Sequence, residues 1–352
     1  MDNIKKDIII LGSTGSIGST TLSSIKNQYF KVVLLSTNVN ALKILKQAKK
    51  FKVKNVIIED KATYIKYKTK FNNNGIILHN GFKNIEKIIK KKVTYCVNAI
   101  SGIEGLEPTL KTIPLTKNIL IANKESIICA WEIINSQLKK NKTNFIPIDS
   151  EHFSIWSLLK NENKLNINKI ILTASGGPFL NKSKDYLRNV KLKNALNHPN
   201  WKMGKKISID SSTMMNKIFE FIEAKKIFNV KKNQISILIH PSSYVHAIIY
   251  FKGDIIKFLA HETDMSIPIS NALGIINNKV SIFSKKNLLK INNLKFETPK
   301  RTNFPLLSLL SLIPEKPSYF ETILITINDS LVNKYLNNEI SYLSIQSNLL
   351  RL

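Results

Sequence analysis

The stretch DIIILGSTGSIGSTTLSSI, residues 7–25, decides the fold. An apolar run of strand length ends in a glycine-rich turn, and a helix-like segment follows it. Gly12, Gly15 and Gly18 stand at G-x-x-G-x-x-G spacing. Glycines let a backbone turn tightly and approach a pyrophosphate, which then sits at the N-terminus of the next helix. The spacing is not the standard G-x-G-x-x-G, so an ordinary glycine-rich turn is the plain alternative. Its place at the end of a first strand favours a dinucleotide.

The same strand-then-helix pattern repeats outward from this stretch. KVVLLS precedes NALKILKQAKKF, NVIIE precedes a Lys/Tyr-rich segment, and GIILHN precedes KNIEKIIKKK; VTYCVNAI follows, and NILIAN leads into KESIICAWEIINSQL. Apolar strands alternating with amphipathic helices predict an α/β protein whose N-terminal domain is a Rossmann-type parallel sheet with right-handed crossovers. That domain is expected over residues 1–148. The character changes afterwards, and an α/β domain is expected over residues 149–262. VHAIIYFKGDIIKFLAH reads as two antiparallel strands around Lys252, Gly253 and Asp254. TMMNKIFEFIEAKKIF reads as a helix with the polar DSST as its N-cap. Residues 263–300 read as a connecting segment and residues 301–352 as a small helical domain.

A chain of 352 residues exceeds one ordinary core. No run approaches the roughly 20 apolar residues of a membrane span. MDNIKKDIII lacks the h-region and cleavage site of a signal peptide. Cys96 and Cys129 lie in apolar surroundings and read as two buried, reduced thiols of a cytoplasmic protein. The net charge of +29 suggests nucleic acid, but only Arg188, Arg301 and Arg351 are arginines and the lysines are spread along the whole chain. Bidentate phosphate and base contacts favour arginine, and a nucleic-acid surface needs clustering. A specific nucleic-acid partner is therefore not expected.

Three further motifs carry chemistry. IANKES, residues 121–126, follows a strand end, where open α/β sheets bind ligands; it places Asn123, Lys124 and Glu125 there, although a polar helix start explains them equally. IDSEHFSIW, residues 148–156, sets Asp149 and Glu151 two apart. In an extended segment both would point one way, and a lysine or a hard divalent cation would relieve their repulsion. A solvated helix N-cap is the plain reading of those two residues. Asn216 and Glu220 then share one helix face beside Lys217, and Glu220 stands among apolar neighbours, with Glu223 as its competitor. LTASGGPF, residues 172–179, opens a long stretch of weak periodicity that ends in HPNWKMGKK, residues 198–206. Such a stretch is expected to be an active-site lid over residues 175–205, holding an exposed Trp201. His152, His198, His240 and His246 are ambiguous by chemistry alone.

In order along the chain, GSTGSIG, ANKES, DSEH, SGGPF, HPNW-MG-KIS-DS-TMMNK---E-IEA and IHP-S-VH resemble the 1-deoxy-D-xylulose 5-phosphate reductoisomerase family from residue 7 to about 345. The resemblance implies NADPH as cofactor, held by Thr14, Gly15, Ser16, Ile17, Asn40, Asn123, Glu125 and Gly204. It implies Mg²⁺, Mn²⁺ or Co²⁺ on Asp149, Glu151 and Glu220. Lys124, Ser150, Ser175, His198, Ser211, Asn216 and Lys217 would contact a phosphosugar, with Trp201 and Met203 in the lid. The reaction implied is metal-dependent isomerisation and NADPH reduction to 2-C-methyl-D-erythritol 4-phosphate, by a cytoplasmic homodimer without membrane or specific nucleic-acid partners. Two departures stand out. Asn38 and Val39 replace a Gly-Lys pair common in the family, and the C-terminal helical domain is expected to be shortened, because the sequence ends at Leu352.

Overall fold

The structure is a computed structural model that describes residues 5–275 and 285–351. The chain forms two compact units, Met1–Asp149 with Met265–Asn277, and Ser150–Asp264 with Asn278–Leu352.

In the first unit, seven strands form one parallel sheet: β1 (Lys6–Leu11), β2 (Phe30–Thr37), β3 (Asn55–Ile58), β4 (Ile77–Asn80), β5 (Val93–Asn98), β6 (Thr116–Ile121) and β7 (Asn144–Pro147). Their order is β4-β3-β2-β1-β5-β6-β7, and every pairing is parallel. Parallel strands are covered on both faces, so β1 is apolar without alternation and Ile8, Ile9, Ile10 and Leu11 are fully buried. The connecting helices are α1 (Ser16–Ser24), α2 (Ala41–Phe51), α3 (Lys61–Asn72), α4 (Ile85–Ile88), α5 (Leu106–Thr112) and α6 (Lys124–Asn141). The helix expected from KNIEKIIKKK is one turn long: the chain leaves helical geometry at Ile89 (φ −106°, ψ 88°) to reach β5. Strand order reverses between β1 and β5, the place where open sheets leave a ligand crevice.

The second unit holds α7 (Ser150–Leu158), β8 (Ile167–Ala174), α8 (Lys184–Arg188), α9 (Leu192–Leu196), α10 (Lys205–Thr213), α11 (Met215–Phe228), β9 (Ile235–Ile239), β10 (Val245–Phe251) and β11 (Ile256–Ala260). Its sheet runs β11-β10-β8-β9, with the expected antiparallel β10–β11 hairpin closed at residues 252–255. Ile171, Val245 and Ile248 form a buried cluster on this sheet, packed by Leu238, Leu294 and Phe296. The segment expected to connect carries α12 (Ser266–Ala272), which belongs to the first unit, and α13 (Lys285–Asn292). Helices α14 (Phe320–Leu336) and α15 (Tyr342–Leu349) complete the second unit.

Four local expectations are corrected here. DSST does not cap the long helix; it forms the last turn of α10, where the Ser212 and Thr213 hydroxyls donate back to the Ile209 carbonyl. Met214, in left-handed backbone (φ 67°), separates α10 from α11. Asp149 and Glu151 do not share an extended segment, because Ser150 opens α7 and Glu151 lies in its first turn. Residues 175–205 are not featureless, since α8 and α9 interrupt them and Ser183 caps α8 by accepting from the Tyr186 N–H at 3.2 Å. Finally, Cys96 is buried but Cys129 is half-buried on α6. Among the described residues no helix is long and apolar enough to cross a membrane.

Candidate active site

The glycine turn is built by close backbone approach. Gly12 has φ +70°, and a Cβ there would stand 2.6 Å from the Ala99 carbonyl oxygen at the end of β5. A Cβ on Gly18 would stand 2.4 Å from the Gly12 carbonyl oxygen. At Gly15 the nearest such atom is 3.4 Å away, so this face is open. Gly15 is the N-cap of α1 and supplies no side-chain cap, which leaves first-turn N–H groups for an anion. Beside the turn lies a cavity of about 1090 Å³ lined by Gly12, Thr14, Gly15, Thr37, Val39, Ala99 and others. These features fit a dinucleotide.

The hydroxyls at the end of β2 are partly committed to the turn itself. Ser36 Oγ accepts from the Gly12 N–H at 3.0 Å, and the Thr14 and Thr37 hydroxyls are 2.7 Å apart. Lys43 Nζ donates to the Thr14 carbonyl at 2.6 Å. Asn40 caps α2 by accepting from the Lys43 N–H at 3.3 Å. Val39, at the cavity mouth, is 60% exposed. Gln47 was not legible in the sequence as part of this turn, yet it accepts from Ser13 Oγ and donates to the Ser13 carbonyl, both at 2.8 Å.

At the start of α6, Asn123 accepts from the Ser126 N–H at 2.6 Å and donates to the Ile100 and Gly102 carbonyls at 2.7 and 2.6 Å. Its side chain thus ties α6 to the loop after β5. Glu125 is buried beside it, and Lys124 pairs with Asp149.

The second unit gathers the other carboxylates. Lys217 Nζ donates to Glu151 Oε1 at 2.6 Å and also pairs with Glu220. Lys217 is 4% and Glu220 1% exposed. Burial works against the ammonium charge, but Glu151 and Glu220 outweigh it and raise the lysine above its ordinary value. Asn216 Nδ2 donates to Glu220 Oε1, and Ser150 Oγ to Glu151 Oε2. His152, fully buried, hydrogen-bonds through Nε2 to the Glu220 carbonyl at 2.9 Å, and its Nδ1 lies 4.0 Å from Glu223. Charged oxygen donors without thiolate or imidazole in the pair are the donor chemistry of a hard divalent cation, so Glu151 and Glu220 fit one. Glu223 lies beside His152.

A second group surrounds Ser175. His198 Nδ1 accepts from the Asn200 and Trp201 N–H groups at 3.1 and 3.0 Å. That assigns the ring proton to Nε2, which donates to Ser175 Oγ at 3.0 Å. Ser175 Oγ also accepts from the Gly177 N–H at 3.0 Å, so its own proton is left to aim at a ligand. Trp201 is half-buried, not exposed as expected, and meets His246 edge-on with centroids 6.0 Å apart. His246 in turn stacks on His261 at 3.8 Å, a partner the sequence does not announce. Met203 is half-buried, Gly204 caps α10 with open space around it, and Ser211 is half-buried on α10.

Burial, aided by Lys217, pushes His198 down to about 4, and burial with His261 pushes His246 down to about 4. An unfolded histidine titrates near 6.5. Between those values the unfolded chain binds more protons than the folded one. The stability these neutral rings contribute is therefore present above pH of about 6.5 and is lost as pH falls toward about 4. Melting temperatures should drop steadily across that window, and His198→Gln should flatten the slope. An unchanged melting temperature across the window would refute the neutral assignment.

A Rossmann-type sheet with a glycine cradle, and a partly buried carboxylate cluster of hard-cation chemistry in the second unit, define a dinucleotide-binding α/β enzyme class with a divalent-ion site. The 1-deoxy-D-xylulose 5-phosphate reductoisomerase model matches residues 8–131, its C-terminal domain model residues 145–228, and a DXP reductoisomerase C-terminal domain model residues 261–351. The chain belongs to the 1-deoxy-D-xylulose 5-phosphate reductoisomerase family. It is 48% identical to the reductoisomerase of Pelagibacter ubique strain HTCC1062 over 351 residues, covering 99% of this chain and 90% of that one. It is 41% identical to that of Wolbachia pipientis wMel, covering 97% of this chain and 88% of that one. Among solved structures, the Zymomonas mobilis enzyme in complex with NADPH superposes with a TM-score of 0.88 at 28% identity, covering 99% of this chain and 91% of that one. A DOX-P reductoisomerase in complex with NADPH, fosmidomycin and magnesium gives 0.88 at 33%, covering 98% and 88%.

Proposed function

We propose that this chain converts 1-deoxy-D-xylulose 5-phosphate to 2-C-methyl-D-erythritol 4-phosphate by metal-dependent isomerisation followed by NADPH reduction. The observation that carries the reading is the cluster of half-buried Glu151 with buried Lys217 and Glu220, in a family member that also carries the Gly12–Gly18 cradle. We assign Asp149, Glu151 and Glu220 as metal ligands. When bound, a divalent ion supplies electrostatic stabilisation of negative charge developing on neighbouring substrate oxygens. NADPH supplies the hydride, with Thr14, Gly15, Ser16 and Ile17 on its pyrophosphate side and Asn40, Asn123, Glu125 and Gly204 as further contacts.

The chain's own residues do the positioning. Ser175, held by His198 and Gly177, donates its remaining proton to the substrate's phosphate. Ser150, Ser211 and Asn216 add polar contacts, Lys124 and Lys217 add positive charge, and anchoring the phosphate fixes the reacting carbons. Trp201 and Met203 exclude water from the reacting atoms. In this division of labour residues 1–148 serve the cofactor, 149–262 the substrate, and 301–352 support them. The working form we propose is a cytoplasmic homodimer. The reading is tested by following NADPH absorbance after adding 1-deoxy-D-xylulose 5-phosphate: loss that requires Mg²⁺ or Mn²⁺ supports it, and no loss with either ion refutes it.

Cofactor choice follows from the region after β2. No Asp or Glu occurs between Asp7 and Glu59, so a ribose 2′-phosphate meets no carboxylate along that stretch. Lys43 is at hand, though Val39 offers no charge. NADPH should be preferred over NADH in kcat/KM. Val39→Lys should widen that ratio by roughly tenfold or more, because a charge-assisted hydrogen bond is worth about 1.5–3 kcal/mol. A wild-type preference for NADH would refute this expectation, and a ratio unmoved by Val39→Lys would show that the 2′-phosphate is held away from residue 39.

A further inference from the structure

Helix α10 has nine residues and carries Ser211, which the function proposed above places on the substrate's phosphate. Its last carbonyls have no partner within the helix and need one from outside. The Ser212 carbonyl accepts from Tyr342 Oη of α15 at 2.8 Å. Two residues earlier, Asp210 Oδ1 accepts from Asn328 Nδ2 of α14 at 2.7 Å, and Asn328 is fully buried. The residues on either side of Ser211 are thus both held by the two C-terminal helices. Burial raises the Tyr342 pKa, so its hydroxyl stays a donor at any working pH.

Tyr342 also reaches the other phosphate-side segment. Its ring meets Phe179 edge-on, with centroids 5.1 Å apart and an interplanar angle of 76°. Phe179 ends the SGGPF segment that begins with Ser175. Within that segment Gly177 packs so tightly that a Cβ would stand 2.8 Å from the Ser211 carbonyl oxygen. One side chain, 2% exposed, therefore touches both segments that carry serine donors. Core filling alone would need only the ring, and a phenylalanine would supply it.

We propose that Tyr342 and Asn328 are positioning residues for the substrate's phosphate: together they hold the α10 turn bearing Ser211 and the segment bearing Ser175 at the separation a phosphate requires. The inference rests on the reading of Ser211 and Ser175 as phosphate donors. Tyr342→Phe keeps the ring and removes one hydroxyl, so it carries the test even if Asn328→Ala fails to fold. Loss of one neutral hydrogen bond predicts that KM for the phosphosugar rises about fivefold. The inhibition constant for inorganic phosphate should rise by the same factor, while kcat and the KM for NADPH stay within about twofold of wild type. A purely structural role would lower the melting temperature and leave the phosphate constants unchanged, which would overturn the proposal. An equal rise in the KM for NADPH would overturn it too, as general loosening. Ser211→Ala separates the two readings. If Ser211→Ala raises the phosphosugar KM and Tyr342→Phe does not, only the positioning role falls; if Ser211→Ala has no effect, the placement of Ser211 on the phosphate falls first.

Discussion

Glu220→Gln is expected to abolish turnover, by roughly 10³-fold or more in kcat, because the metal's share of transition-state stabilisation is worth several kcal/mol and each 1.4 kcal/mol is about tenfold. The substitution is nearly isosteric. Lys217 keeps Glu151 as its partner, and the Gln carbonyl can still accept from it, so the helix should remain folded. What changes is the charge of one oxygen donor. Asp149→Asn and Glu151→Gln are expected to behave the same way. Glu223→Gln should not, because Glu223 faces His152. The measurement has two arms: Mn²⁺ binding by calorimetry, which reads the ligand set without turnover, and kcat with saturating Mg²⁺ or Mn²⁺. If a variant binds Mn²⁺ like wild type and keeps near-normal kcat, that residue is not a ligand.

The site was legible where chemistry is carried by local pattern and illegible where it depends on distant partners. β1 could be read because a strand buried on both faces has no polar alternation, and Ile8 to Leu11 have none. Glu220 could be singled out because a charged residue inside an apolar helical stripe must have a reason, and Lys217 supplies one. An extended segment would aim Asp149 and Glu151 one way, but Ser150 opens α7, as the plain helix N-cap reading of DSEH has it. DSST reads as a cap because Ser and Thr favour caps, yet the Ser212 and Thr213 hydroxyls satisfy themselves on the Ile209 carbonyl and stay in the helix. Gln47 and Ser13 are 34 residues apart, and Tyr342 and Ser212 are 130 apart. No periodicity links such positions, so the turn's brace and the clamp on α10 appear only in three dimensions. The His246–His261 stack lies at the open end of the β10–β11 hairpin, where Val245 pairs with Ala260.

The three glycines of the turn should separate into two kinds when each is changed to alanine. Gly18→Ala is expected to destabilise the protein by about 1–3 kcal/mol, the range for overpacking a tight site. Its new methyl would stand 2.4 Å from the Gly12 carbonyl oxygen and 2.6 Å from the Ser13 Cα, both backbone atoms that cannot swing aside. Gly12→Ala combines a comparable clash with a left-handed φ of +70°, so its effect should be at least as large. In both variants the turn shifts. One misplaced N–H bond to a pyrophosphate, worth about 1.5–3 kcal/mol as a charge-assisted bond, lowers NADPH affinity by roughly 10- to 100-fold. Gly15→Ala is different. Its backbone, φ −71° and ψ −178°, is open to any residue, and the nearest atom lies 3.4 Å from the new methyl. The folded protein should accept that methyl with an unchanged melting temperature. The methyl should instead occupy the space where a pyrophosphate approaches the N-terminus of α1, so that NADPH titration shows weaker binding by a similar factor. Wild-type NADPH affinity in a normally folded Gly15→Ala protein would mean that the pyrophosphate does not lie over this turn, and the cradle would then serve only to join β1 to α1.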